Sequence, residues 1–198
     1  MKLVIGIVGP PLAGKETVAD KLEELLRRDG YTVSRHRFSD ILRETLTLWG
    51  IPHGRTNEQL LPQVMYAPDA FGEGALSRAV KNRLMKDTAD VGILDGVRWL
   101  EDEKMLREFP AEGIRSVIIH VTASPDRRYA RLKARDRHGE SAQTREDFER
   151  HEKAKTEVEI PAIGSRADIT VINEHEDIKN LHKEIEHAHR TRLKPMLS

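Results

Sequence analysis

An apolar run from Leu3 to Val8 ends at Gly9. Four residues later, Gly14-Lys15 opens a segment whose apolar positions, Val18, Leu22, Leu25 and Leu26, recur at helical spacing. A strand that passes through a short glycine loop into an amphipathic helix constrains the fold more than any other feature of this chain. The Gly9-x4-Gly14-Lys15 spacing alone is a weak filter, met by chance in roughly one chain of this length in twenty. Its position between strand and helix gives it chemical meaning. There, backbone N–H groups converge on an anion, the helix dipole favours negative charge, and Lys15 can fold back over a β or γ phosphate. The competing reading is an ordinary glycine-rich turn.

Further strand-like runs occupy residues 31–38, 91–96, 115–122 and 167–173, and most are followed by charged segments of helical periodicity. Helices are predicted over about 15–29, 40–49, 57–66, 73–87, 99–109, 125–136, 144–158 and 175–190. This alternation is the pattern of a parallel sheet with helices on both faces. The expected fold is α/β, a three-layer αβα sandwich around a five-stranded parallel sheet, in one domain. Its core comprises residues 1–38, 91–125 and 160–198. Residues 39–90, interrupted by Pro52, Pro62 and Pro68, are read as a mobile insertion, and 126–158 as a mobile lid.

Composition excludes several classes of function. Lys+Arg and Asp+Glu stand at 33 each, so there is no global basic field to recruit nucleic acid. Cysteine is absent, which removes disulfides and thiolate metal sites. No apolar stretch approaches the ~20 residues of a membrane span, and a cytoplasmic location is expected. His175, His182, His187 and His189 lack convincing ligand spacing and read as a solvated helix face.

Within the loop, Pro10 and Pro11 have no N–H, so donors are expected from Leu12, Ala13, Gly14, Lys15, Glu16 and Thr17. Leu12 is bulkier than the glycine common in such loops. The position after Lys15 is Glu16, and the hydroxyl arrives one residue later at Thr17. This Gly-Lys-x-Thr arrangement resembles the nucleoside monophosphate kinases, where magnesium is held largely through water.

Three later motifs extend that resemblance in order. "FSDILRE" (38–44) looks like the start of the acceptor-binding helix of adenylate-kinase-like enzymes, with Ser39 and Arg43 meeting the monophosphate. Ser39 is a suitable N-cap and Arg43 lies one turn further on the same face. "ILDGVRWLEDE" (93–103) resembles their Asp-Gly-x-x-Arg shortened by one residue. The resemblance implies that Asp95 polarises magnesium-bound water near Thr17 and that Arg98 clamps the acceptor phosphate. "TASPDRRYARLKARDR" (122–137) is similar to the start of their lid. There Arg131, Arg135 and Arg137 would close over the transferring group, and Arg150 would join the acceptor side. An RNA-binding patch is the competing reading of these arginines, with Tyr129 as its only interleaved aromatic. The strand ending at Asn173 matches the family's last strand, which implies that Asn173 to His175 lie near the adenine of ATP.

The overall likeness, from residue 3 to about 188, is to P-loop nucleotide kinases near the deoxynucleoside monophosphate kinases and dephospho-CoA kinases. ATP and Mg²⁺ are the implied cofactors. Gly9 and the loop amides with Lys15 form the implied donor site, and Lys15, Asp95, Arg98, Arg131 and Arg135 are the implied catalytic residues. Dephospho-CoA kinases carry Asp-x-Asp where this chain has Phe38-Ser39-Asp40, which favours a nucleoside monophosphate, with Asp40 the one carboxylate placed to act as a base. Trp49, His53, Asn57, Gln63, Tyr66 and Arg78 are candidates for reading the base or sugar. The alternatives are a dephospho-CoA kinase, a kinase of a modified base in DNA, or a regulatory ATPase. Small nucleotides are the expected partners, of a monomer or homodimer.

Overall fold

A computed structural model describes residues 1–67, 69–134, 142–153 and 157–197. The central strand β1 (Leu3–Val8) explains its own sequence. It has parallel neighbours on both sides, and Leu3, Val4, Ile5, Ile7 and Val8 are all fully buried. A strand covered on both faces has no use for polar alternation, hence the continuous apolar run. Around it stand β2 (Val33–Arg37), β3 (Val91–Val97), β4 (Arg115–Thr122) and β5 (Ile169–Ile172). All are parallel, in the order β2-β3-β1-β4-β5. The five-stranded parallel sheet is the predicted one.

The two faces of the sheet carry two cores. On one, Leu3, Ile5 and Ile7 meet Val18, Leu22, Leu25 and Leu26 of α1 (Lys15–Arg28) and Leu181 and Ile185 of α9 (Ile178–Ala188). On the other, Val4 and Val8 belong to a cluster built by helices that follow β2 and β3. These are α2 (Phe38–Leu48), α3 (Arg55–Met65), α4 (Ala75–Lys86) and α5 (Leu100–Glu108), through Phe38, Leu42, Leu61, Leu76, Val80 and Leu106. Helices α6 (Pro125–Ala134) and α7 (Arg145–Glu152) follow β4. The sandwich therefore has the three layers the alternation predicted.

Two differences from expectation have physical causes. The helix expected over 144–158 stops at Glu152, and a separate short helix, α8 (Ile160–Ser165), buries Ile160 and Ile163 against the sheet. Pro161 falls in its first turn, where a missing N–H costs nothing, so a residue that reads as a breaker begins the helix. The strand predicted over 31–38 is shorter, because Phe38 already starts α2. One irregularity positions chemistry: Ile7 pairs with Asp95 but Val8 pairs with Val97. Gly96, at φ 93°, is thus bulged out at the carboxyl edge of the sheet beside Asp95.

Candidate active site

The donor half is a backbone structure. Between β1 and α1 the loop places Gly14 at φ 100° as the N-cap of α1, with no side-chain acceptor on the first-turn amides. Four N–H groups of a helix start have no intrahelical partner, so this end is open to an anion. The Lys15 ammonium folds back on the loop and donates to the carbonyls of Gly9 (2.7 Å) and Pro10 (3.0 Å). Burial lowers its pKa to about 8, helped by the nearby Arg98 guanidinium and opposed by Asp95 and Glu157. An arriving phosphate would restore the charge. Leu12 adopts φ 64°, the only positive φ of a non-glycine residue among those described. The loop holds this side chain in the left-handed region at a cost of roughly 1–2 kcal/mol.

Behind the loop stand two residues for which the resemblance implied contact with the nucleotide. The Asn173 side chain is buried and donates to the Ala13 carbonyl (2.8 Å), and a Cβ at Gly14 would overlap its amide nitrogen. Arg131 donates to the carbonyls of Leu12 (3.1 Å), Ala13 (3.3 Å) and Asn173 (2.8 Å). Burial lowers its pKa, as does the neighbouring Arg127. Both residues border the cleft, and through these bonds they brace the phosphate loop from behind. The other lid arginines divide. Arg128 is buried on the Ala123 carbonyl (3.0 Å) and on Glu152, with Phe148 beneath it, and so ties α6 to α7. Arg150 is exposed and pairs with Asp147 (3.0 Å) and Glu146 (3.6 Å) on its own helix, away from the cleft walls. A surface helix satisfies its charge locally, and the structure does not bring Arg150 together with Arg43 and Arg98. Arg135 and Arg137 lie outside the described residues.

The acceptor half is assembled from side chains of distant elements. Asp95 ends the buried part of β3, and Arg35 and Arg37 of β2 face it at 3.5 and 3.7 Å. Arg37 also reaches Glu16 (3.1 Å). Arg43 forks onto Glu58 of α3 with contacts of 3.1 and 3.3 Å. Arg98 pairs with Glu157. The turn that carries Arg98 is held by Asp102, which is fully buried. Its carboxylate accepts the N–H groups of Arg98 and Trp99 (3.0 Å each) and the Ser77 hydroxyl (2.6 Å). Burial pushes the Asp102 carboxyl up to about 6 despite those three donors.

Ser39 lines the cleft, whereas Asp40 is absent from its walls. Of the six candidate base or sugar readers, Gln63 and Tyr66 line it. The other four are spent elsewhere. His53 bonds the Thr47 hydroxyl, Asn57 the Pro52 carbonyl, and Arg78 the Phe71 and Glu73 carbonyls, while Trp49 is exposed on the surface. Arg35, Arg37, Glu58, Asp102 and Glu157 were not singled out from sequence. Alternating arginines at the carboxyl end of a strand were the visible signal for the first two. His189 departs from the expected solvated face: it is buried 3.7 Å from Asp29, and burial lowers its pKa. No group of three or more His, Cys, Asp or Glu able to hold a metal occurs among the described residues. The Thr17 hydroxyl and the Asp95 carboxylate, both on the cleft wall with Lys15, are hard oxygen donors of the kind that suits magnesium held through water.

Donor and acceptor halves face one cleft of about 1750 Å³. It opens at the carboxyl edge of the sheet beside the junction of β1 and β3. A parallel five-stranded sheet with this loop at its edge defines the P-loop kinase-like class of nucleotide-binding folds. Two solved structures carry the same fold. Shikimate kinase from Bacteroides thetaiotaomicron has a TM-score of 0.59 at 13% identity, over 95% of this chain and 97% of that one. TT1252 from Thermus thermophilus scores 0.54 at 23% identity, over 98% and 97%. The chain belongs to the AAA domain family AAA_18, whose model matches residues 5–155, and to the UPF0200 proteins. The UPF0200 protein of Thermococcus kodakarensis is 30% identical over 86% of this chain and 88% of its own length. That of Staphylothermus marinus is 30% identical over 88% and 85%. No helix among the described residues is long and apolar enough to cross a membrane.

Proposed function

We propose that this protein transfers the γ-phosphoryl group of ATP to a nucleoside monophosphate, more specifically a deoxynucleoside monophosphate, giving the diphosphate. The observation that carries the reading is the shared cleft. A phosphate loop with Lys15 stands at one end, and the guanidinium groups of Arg43 and Arg98 border the acceptor side. Phosphoryl transfer demands alignment, charge compensation and exclusion of water, and little covalent work from the protein. The loop amides and Lys15 hold the donor's β and γ phosphates. Arg98 and Arg43 orient the acceptor's phosphate, one of whose oxygens forms the new bond to the γ phosphorus. The bond from that phosphorus to the bridging oxygen breaks, and its electron pair leaves with ADP. The attacking oxygen is already an anion, so no base is required, and the absence of Asp40 from the cleft walls is compatible with this reaction. Mg²⁺, when bound, would neutralise charge on the donor phosphates, with Asp95 and Thr17 holding its water shell. The zero formal net charge supports small nucleotides rather than nucleic acid as partners.

The test is an ATP-consumption screen against all ribo- and deoxynucleoside monophosphates and dephospho-CoA. Turnover with one or a few monophosphates is expected. Turnover with dephospho-CoA alone would overturn the acceptor and keep the kinase. Hydrolysis indifferent to every acceptor would replace the kinase with a nucleotide-dependent switch.

A further inference from the structure

The reaction as described leaves a charge on the cleft wall unused. Glu157 borders the cleft with its side chain only 9% exposed, a degree of burial rare for a glutamate. It pairs with Arg98, the guanidinium assigned to the acceptor's phosphate. It shares the cleft wall with Lys15, and its charge opposes the lowering of that ammonium's pKa. The pattern recurs at the second acceptor arginine, where Glu58 occupies the fork of Arg43. Two guanidinium groups that would otherwise make a strong anion trap are each neutralised by a carboxylate from another element. A dianion entering beside Arg98 meets a neutral pair, and one carrying three negative charges is opposed by Glu157 more strongly still.

We propose that Glu157 is a specificity-determining residue that tunes the acceptor site by charge. It disfavours retention of the more highly charged diphosphate relative to the monophosphate, and thereby promotes product release. This rests on the nucleoside monophosphate reading above. Its anion-binding consequence is independent of which acceptor is used. Two consequences follow from removing the charge while keeping the shape. Glu157→Gln leaves Arg98 unneutralised, so highly charged anions bind more tightly. The enzyme then takes up its acceptor more readily and lets go of its product more slowly, so KM and kcat fall together. A carboxylate that merely held Arg98 in position would act in the opposite sense, because its loss would raise KM.

The experiment is calorimetric titration of inorganic pyrophosphate into protein whose phosphate loop is filled with a non-hydrolysable ATP analogue. It is run on wild type, Glu157→Gln and Glu157→Asp, each with its thermal melt recorded. Steady-state kinetics follow with the acceptor identified by the screen. The expected result is roughly tenfold tighter pyrophosphate binding and a joint fall of KM and kcat in Glu157→Gln, with Glu157→Asp close to wild type because it keeps the charge. Unchanged or weaker pyrophosphate binding by folded Glu157→Gln, or a raised KM, overturns the proposal. If no monophosphate is turned over, the function proposed above fails, and the pyrophosphate titration still decides whether Glu157 sets the charge of this site.

Discussion

The two halves of the cleft are built on opposite principles. The proposed donor half is one contiguous stretch of chain that offers backbone amides and a single lysine. Its neighbours Asn173 and Arg131 hold the loop carbonyls. The proposed acceptor half draws Arg43, Glu58, the turn of Arg98 and Asp102, and Glu157 from four separate stretches of the sequence, and its cations are already paired. A site made of amides tolerates variation in side chains, whereas a site made of crossed ion pairs depends on each of them. Substitutions in the two halves should therefore fail in different ways.

The largest effect is expected at the donor end. Lys15→Ala should reduce phosphoryl transfer by several powers of ten with the fold intact, because the ammonium bonds loop carbonyls beside the cleft and carries no core packing. Near-normal turnover by the folded variant would dissolve the distinction between the halves. Arg98→Ala and Arg43→Ala come next, each raising the acceptor KM about tenfold to a hundredfold, as loss of a charge-assisted contact worth about 1.5–3 kcal/mol implies. The KM for ATP should stay within a factor of two or so, and equal losses for both substrates would remove these arginines from the acceptor side.

A smaller effect concerns stability and pH. With its carboxyl raised from 3.8 to about 6, Asp102 keeps a proton in the folded chain over a range where the unfolded chain has released it. That contribution is complete below about 3.8 and is lost as pH rises through 6. The melting temperature of wild type should therefore fall relative to that of Asp102→Asn between pH 4 and 6.5, and parallel curves would exclude Asp102 as the cause. The smallest effect is expected from Arg150→Ala, which should leave both KM values and kcat unchanged, since its partners lie on its own exposed helix. A rise in acceptor KM would return α7 to the site.

The same contrast governs what the sequence discloses. Amide-based anion binding needs a strand, a glycine loop and a helix in succession, so residues 3–28 display the donor site in order. The Gly14 requirement is local in its left-handed φ and tertiary in the proximity of Asn173. The paired acids Glu58 and Glu157 look like any solvated glutamate in a helical or irregular stretch, and only the tertiary fold carries them to Arg43 and Arg98. The loop-bracing contacts of Arg131 were hidden for the converse reason. A basic helix after the fourth strand signals phosphate, yet the loop's own carbonyls, left unpaired by its tight turn, compete for the same guanidinium.

The Trp99 ring, directly after Arg98, packs edge-on against Tyr66 with centroids 5.5 Å apart and planes at 80°. The chain's other tryptophan, Trp49, stands half in solvent, outside the cleft walls. Nature has thus wired a chromophore to the acceptor turn. Replacing Trp49 by phenylalanine would leave a single emitter, excited directly or through the adjoining phenol, whose colour and brightness track the spacing between α3 and the Arg98 turn. Movement of the acceptor half could then be followed as light, in real time and without a label, in the same molecule whose turnover is being measured.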